Sequence, residues 1–251
     1  MNKQIYNQII KKKELSKLPK KDVEMAFVKF EKREVSDKEK IRLTRDLLNK
    51  VYWPFRSTKL LSIKEKPVEW ILRKHLGTRE RIDFYEKLYR KLLKGFDEVN
   101  VIDLGCGANG FSYNYFPCKV NYFGAEAVGQ LVDNTNNYFK KSKIKGRVSH
   151  LSLFEMGKVK KIIKKIKGKK IVFLFKVLDS LEMLERDYSK RLLKEIVLLV
   201  DKVVVSFATK SMVKKEKFKV KRKWVLNFIR QNFKLLDDFE LGTERYFVFG
   251  K

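Results

Sequence analysis

An α/β fold, with a Rossmann-like domain behind a helical N-terminal lobe, is predicted for this 251-residue chain by three features. From Val99 onward, short apolar strands alternate with helices, the pattern of a parallel sheet covered on both faces. The first strand runs directly into a turn with three glycines, Asp103-Leu104-Gly105-Cys106-Gly107-Ala108-Asn109-Gly110. Residues 1 to about 95 instead carry apolar residues at helical spacing and show no strand pattern. The chain therefore divides into a lobe of residues 1–95 and an α/β domain of residues 96–251.

In the lobe, Ser36-Asp37-Lys38-Glu39 has the form of a capping box, and Ile41, Leu43, Leu47, Leu48 and Val51 continue the helix until Trp53-Pro54. Pro67 opens a second helix with Val68, Ile71 and Leu72 on one face. A third is expected from near Thr78, carrying Ile82, Phe84, Tyr85, Leu88, Leu92 and Leu93, with Gly95 ending it. In the α/β domain the expected strands are Val101–Leu104, Val120–Glu126, Arg147–Phe154, Ile171–Leu178, Lys202–Phe207 and Tyr246–Phe249. Val159, Ile162, Ile163 and Ile166 form the core stripe of a helix whose other faces are lysine-rich.

Ligands of open α/β sheets sit beyond the carboxyl ends of the strands, so Gly105, Glu126, Ser152, the stretch after Lys176, and Ser206 should surround one site. Glycines at these spacings let the backbone turn sharply and approach a ligand closely. Gly105-x-Gly107-x-x-Gly110 also satisfies the dinucleotide fingerprint, so the glycines alone do not separate a nicotinamide from S-adenosylmethionine. Asp103 discriminates. A carboxylate there would oppose a pyrophosphate, whereas it suits the ammonium and sulfonium of S-adenosylmethionine. Glu126, ending the second strand, is placed to accept both ribose hydroxyls of either cofactor. His75 and His150 have no nearby acid or metal ligand and read as packing or surface residues. Pro117-Cys118 resembles the nucleophile pair of cytosine-C5 methyltransferases but follows the first strand and not the fourth. The fourth strand also lacks an Asp/Asn-Pro-Pro-Tyr/Phe turn for methylating an exocyclic amine.

The formal charge is +29, with 27 bases against 15 acids in residues 1–100 and 32 against 15 afterwards. An excess spread over the whole molecule implies a polyanionic partner, and RNA is expected. The basic run Lys214 to Lys223 follows the fifth strand on the ligand side, and Lys214, Lys215, Lys217 and Lys219 are candidate RNA-binding residues. No apolar run is long enough to span a bilayer, and the N-terminus lacks the core of a signal peptide, so a cytoplasmic, soluble protein without a membrane partner is expected. Two cysteines in unrelated settings imply a reduced compartment and no metal.

Several separated segments together resemble the aminoglycoside-resistance 16S rRNA guanine-N7 methyltransferases, the ArmA/Rmt group. They are His75-Leu76-Gly77-Thr78-Arg79-Glu80-Arg81, Asp103 to Gly107, Phe175-Lys176-Val177-Leu178-Asp179-Ser180-Leu181-Glu182, Val205-Ser206-Phe207-Ala208-Thr209-Lys210-Ser211 and Gly242-Thr243-Glu244. The resemblance implies a Rossmann-like S-adenosylmethionine-dependent methyltransferase fold and a helical lobe that docks on the 30S small ribosomal subunit. Its substrate would be a decoding-site guanine of 16S rRNA, methylated by a monomer, with aminoglycoside resistance as the result. Carried over, Arg81 contacts the methionine carboxylate, and Asp103, Gly105, Gly107, Glu126, Ser152 and Lys176 complete the cofactor site. Arg81 and Glu126 are expected in a solvent-connected site and not in the core. Ser206, Thr209, Lys210 and Glu244 are the candidates for positioning the target.

The chain departs from that family at three places. Ser152 stands where the family tends to have an adenine-binding Asp, Ala208 replaces a proline, and Met212-Val213-Lys214-Lys215-Glu216-Lys217 replaces a glycine-rich loop. Two other readings remain open: an rRNA or tRNA methyltransferase with another target atom, and an inactive RNA-binding protein of ribosome assembly. A nicotinamide enzyme ranks third.

Overall fold

The computed structural model describes residues 1–52, 58–61, 66–210 and 222–251. Strands β1 (Glu98–Leu104), β2 (Lys119–Glu126), β3 (Gly146–His150), β4 (Lys170–Phe175), β5 (Lys202–Ala208), β6 (Lys234–Leu241) and β7 (Glu244–Gly250) form one sheet in the order β3-β2-β1-β4-β5-β7-β6. The first five strands are parallel, and β7 runs antiparallel between β5 and β6. Strand order reverses between β1 and β4, which opens a crevice at their carboxyl ends. Every residue of β1 after Glu98 is buried, as is every residue of β4 after Lys170. Covered on both faces, these strands need continuous apolar runs and not alternation.

Two expected strands end early. The third stops at His150, after which Ser152 Oγ accepts the Phe154 N–H at 3.1 Å and folds the chain into a turn. The fourth stops at Phe175, because Lys176 adopts φ +59° and Leu178–Leu184 forms a helix, α10 in the numbering below. The apolar run continued past the strand because both elements are buried. Strand β6 has no apolar run in the sequence: it is an edge strand with a bulge between Leu235 and Asp237, and one face is wet.

The lobe comprises α1 (Lys3–Ile10), α2 (Lys20–Glu31), α3 (Asp37–Val51), α4 (Thr58–Leu61), α5 (Val68–Lys74), α6 (Leu76–Arg79) and α7 (Tyr85–Leu92). Ser36 caps α3 by accepting the Glu39 N–H at 3.3 Å, while the Glu39 carboxylate pairs with Arg42. Trp53-Pro54 lies outside the described residues. The helix expected from Thr78 is broken into α6, a 3-10 turn at Ile82–Phe84, and α7. His75 Nδ1 accepts the Thr78 N–H at 3.2 Å and caps α6 separately. Ile82, Tyr85, Leu88, Tyr89 and Leu92 still bury one face, which kept the helical period across the break.

The remaining helices are α8 (Gly129–Lys141), α9 (Met156–Lys165), α10, α11 (Tyr188–Val197) and α12 (Lys223–Asn232). On α9, Val159 and Ile163 are buried and the lysines face outward or lie half-buried. One hydrophobic cluster runs from Phe27 and Leu48 in the lobe through Tyr89 to Phe173 and Phe249 in the sheet. Each such side chain contributes about 1.5–3 kcal/mol when buried. Helices α2 and α3 pack on α10, and α4 packs on α8, so the lobe forms one side of the crevice. Among the described residues, no helix is long and apolar enough to cross a membrane, and no group of His, Cys, Asp and Glu is placed to hold a metal.

Candidate functional site

Parallel pairing of Leu104 with Ala125 brings the turn after β1 against the carboxylate that ends β2. Gly107 N–H donates to Glu126 Oε2 and Val128 N–H to Glu126 Oε1, both at 2.8 Å. Gly105 and Gly107 have φ of +72° and +51°. A Cβ on Gly105 would lie 2.2 Å from Val177 Cγ2, so this position requires glycine for both conformation and space. Burial pushes the Glu126 carboxyl up to about 7, against the backbone N–H groups that favour its charge. Asp103 Oδ2 accepts from Asn109 Nδ2 at 2.6 Å and from the Tyr122 hydroxyl at 2.7 Å. Burial raises its pKa as well, with those two donors opposing the rise.

A second cluster joins the lobe to β4, β5 and β7. Arg81 Nε donates to the Gly77 carbonyl at 3.1 Å and lies 3.2 Å from Glu244 Oε1; Nη1 donates to Asn109 Oδ1 at 3.3 Å. Its guanidinium centre is 4.8 Å from the centre of the Phe175 ring. Lys176 Nζ lies 3.0 Å from the same Glu244 oxygen and also pairs with Glu80. Ser206 Oγ donates to Glu244 Oε2 at 2.8 Å. Burial would raise the Glu244 pKa, but Arg81, Lys176 and Ser206 hold it below the usual carboxylate range. His75 is pushed down to about 3, by burial first and then by Arg81 and Lys176, so its ring is neutral near pH 7.

A cavity of about 250 Å³ lies between these clusters, lined by Arg81, Asp103, Gly105, Gly107, Glu126 and Lys176 among others. Six of the seven residues expected around the cofactor therefore share one wall. Ser152 is fully buried and off that wall. Arg81 and Glu126 are 4% and 3% exposed, which corrects the expectation that they stand outside the core: each is anchored by buried partners as it reaches the cavity. Ser206 and Glu244, expected at the target, are instead buried off the cavity wall: Ser206 binds Glu244, and Glu244 pairs with the two cations on that wall, Arg81 and Lys176. Thr209 N–H donates to Thr243 O at 2.8 Å, and Lys210 is exposed; neither lines the cavity, although Ala208 does. Lys214, Lys215, Lys217 and Lys219 lie outside the described residues.

Sequence reasoning missed Asp22 of α2 and Tyr52 at the end of α3, which line the cavity from the lobe. The Tyr52 hydroxyl donates to Asp22 Oδ1. An acid in the first turn of a helix normally reads as a dipole partner, so no local signal singled Asp22 out. Asn109 was visible in the glycine turn, but its role in joining Asp103 to Arg81 was not. Cys106 also lines the cavity, and burial pushes its thiol well above the usual range, so no thiolate is available there.

The glycine cradle and the two strand-end carboxylates fit an adenosine-bearing cofactor better than a pyrophosphate, which the buried acids would repel. Comparison with known proteins points the same way. The family described as ribosomal RNA methyltransferase (FmrO) matches residues 63–231. The solved structure of the 16S rRNA methyltransferase RmtF in complex with S-adenosyl-L-homocysteine superposes with a TM-score of 0.77 at 18% identity, covering 100% of this chain and 99% of that one. An rRNA methylase from Escherichia coli gives 0.77 at 17% identity, over 99% and 98% of the two chains. The 16S rRNA methylase RmtB gives 0.74 at 18%, over 99% and 97%. These likenesses show the fold. No curated protein sequence matches significantly.

Proposed function

The chain belongs to the FmrO family of ribosomal RNA methyltransferases, and we propose that it methylates N7 of a decoding-site guanine of 16S rRNA within the small ribosomal subunit, with S-adenosylmethionine as donor. The observation that carries this reading is the convergence of Asp103, Glu126 and Arg81 on one cavity beside the glycine turn. S-adenosylmethionine, when bound, supplies an electrophilic methyl group on a sulfonium. Glu126 is assigned to the ribose hydroxyls, since its two oxygens are fixed by backbone N–H groups and retain lone pairs for further donors. Arg81 is assigned to the methionine carboxylate, and Asp103 lends negative potential beside the ammonium and sulfonium.

Guanine N7 has an in-plane lone pair and no proton, so the chain must position the base and exclude water without supplying a general base. The chemistry of the wall agrees with this: His75 is a buried cap and Cys106 remains a thiol. Glu244 and Ser206 would act on the target indirectly, by fixing Arg81 and Lys176. Thr209 and Lys210 follow Ala208 and are assigned, with Lys214, Lys215, Lys217 and Lys219, to the RNA side. A methyl group and fixed charge on that guanine would repel cationic aminoglycosides, giving resistance.

The test is methyl transfer from labelled S-adenosylmethionine to assembled small subunits and, in parallel, to naked 16S rRNA. Assembled subunits should be methylated far better, and borohydride–aniline cleavage should map the product to a decoding-site N7-methylguanine. Methylation of an adenine or of a guanine elsewhere would overturn the target assignment. RNA binding with no transfer would instead favour an inactive assembly protein.

A further inference from the structure

Asp22 is the one carboxylate of the cavity wall that comes from the N-terminal half of the lobe. It is 2% exposed. Its Oδ1 accepts from the Tyr52 hydroxyl, and among the described residues its Oδ2 has no hydrogen-bond partner. The Ser152 hydroxyl lies beside the carboxyl, lowering its pKa against the rise caused by burial, but makes no bond of normal geometry to Oδ2. A buried acceptor left without a donor costs free energy, and a ligand that brings the missing N–H or O–H recovers it. The location narrows the choice of donor. Ser152 follows β3, the neighbour of β2, so Asp22 stands on the side of the cavity next to Glu126, whose pKa its charge helps to raise. If Glu126 holds the ribose, the group attached to that ribose lies toward Asp22, with Leu153 and Phe154 supplying apolar wall.

We infer that Asp22 accepts a hydrogen bond from the exocyclic amine of the cofactor's adenine, so that a residue of the lobe and not of the sheet selects the base. The inference rests on the proposed use of an adenosyl cofactor. It also assigns Tyr52 a positioning role: its hydroxyl occupies Oδ1 and leaves Oδ2 for the ligand.

The probes are S-adenosylhomocysteine and its deaminated counterpart S-inosylhomocysteine, titrated calorimetrically into the full chain. The inosine base has a carbonyl in place of the amine, so wild type should bind it at least about ten-fold more weakly. Asp22→Asn presents an amide that can accept from the amine or donate to the carbonyl, and it should bring the ratio of the two affinities close to one. Glu126→Gln should weaken both ligands and leave the ratio unchanged. Tyr52→Phe keeps the carboxylate, serves as the second variant should Asp22→Asn not fold, and should reduce the ratio several-fold by freeing the carboxyl to turn. An unchanged ratio in Asp22→Asn, or in Tyr52→Phe where only that variant folds, would overturn the inference while the cofactor assignment stands. Failure of wild type to bind S-adenosylhomocysteine would remove the cofactor assignment and this inference with it.

Discussion

Arg81 Nε and Glu244 Oε1 lie 3.2 Å apart with both side chains almost completely buried, so the cation assigned to the cofactor's carboxylate is held by an internal counter-ion. Removing one partner of a buried pair leaves an uncompensated charge, at a cost of about 3–5 kcal/mol. Glu244→Ala should therefore lower stability by that order, measured by denaturant unfolding, even though the residue is off the cavity wall. Glu244→Gln keeps the shape and should cost less, while weakening cofactor binding by leaving Arg81 and Lys176 without their shared carboxylate. Glu244→Ala unfolding at the wild-type denaturant midpoint would contradict the role assigned to this pair.

The Glu126 carboxyl sits at about 7 in the folded protein against an ordinary value of 4.5. The folded state thus holds its proton more tightly than the unfolded chain. Its contribution to stability is present below pH 4.5, declines as pH rises toward 7, and is lost above it. Across that window wild type should lose on the order of 3 kcal/mol relative to Glu126→Gln, which has no proton to release. Denaturant unfolding of both proteins between pH 4 and pH 8 measures the difference, and parallel curves would remove the assigned titration. Cofactor affinity should run the other way, rising with pH through about 7, because the carboxylate is the better acceptor of ribose hydroxyls.

Gly105→Ala places a methyl group against Val177 at a backbone φ of +72°. Strain and overlap together should cost about 2–4 kcal/mol and weaken cofactor binding. Adding Val177→Ala should recover the part due to overlap and leave the conformational part. A double variant no more stable than Gly105→Ala alone would show that overlap with Val177 is not the constraint.

Replacing Lys214, Lys215, Lys217 and Lys219 with Gln should weaken binding to small subunits and flatten its salt dependence. The log-log slope should fall by roughly 0.7 to 0.9 for each phosphate that is no longer neutralised. Binding of S-adenosylhomocysteine should be unaffected. Salt titrations with an unchanged slope would return this run to the class of solvated surface.

What the sequence determined by itself was whatever depends on neighbours along the chain. Asp103, Gly105 and Gly107 could be placed together because strand and turn are consecutive, and Glu126 because parallel strands bring their carboxyl ends to the same edge. The alternation from Val99 onward likewise reported a covered parallel sheet, since burial on both faces demands continuous apolar runs. Where buried runs crossed an element boundary, as after Phe175 and around Ile82, the same signal blurred the ends of strand and helix. Tertiary structure alone decided the rest. Glu244 reads in sequence as an acid in a turn, and only the insertion of β7 beside β5 puts it against Arg81 and Lys176. Asp22 reads as a helix-start acid, and only the packing of α2 and α3 on α10 carries it with Tyr52 to the cavity. Periodicity reports which side of an element is buried; which distant charge shares that burial depends on how the elements pack, because a carboxylate is held only by the donors the fold brings within hydrogen-bonding distance.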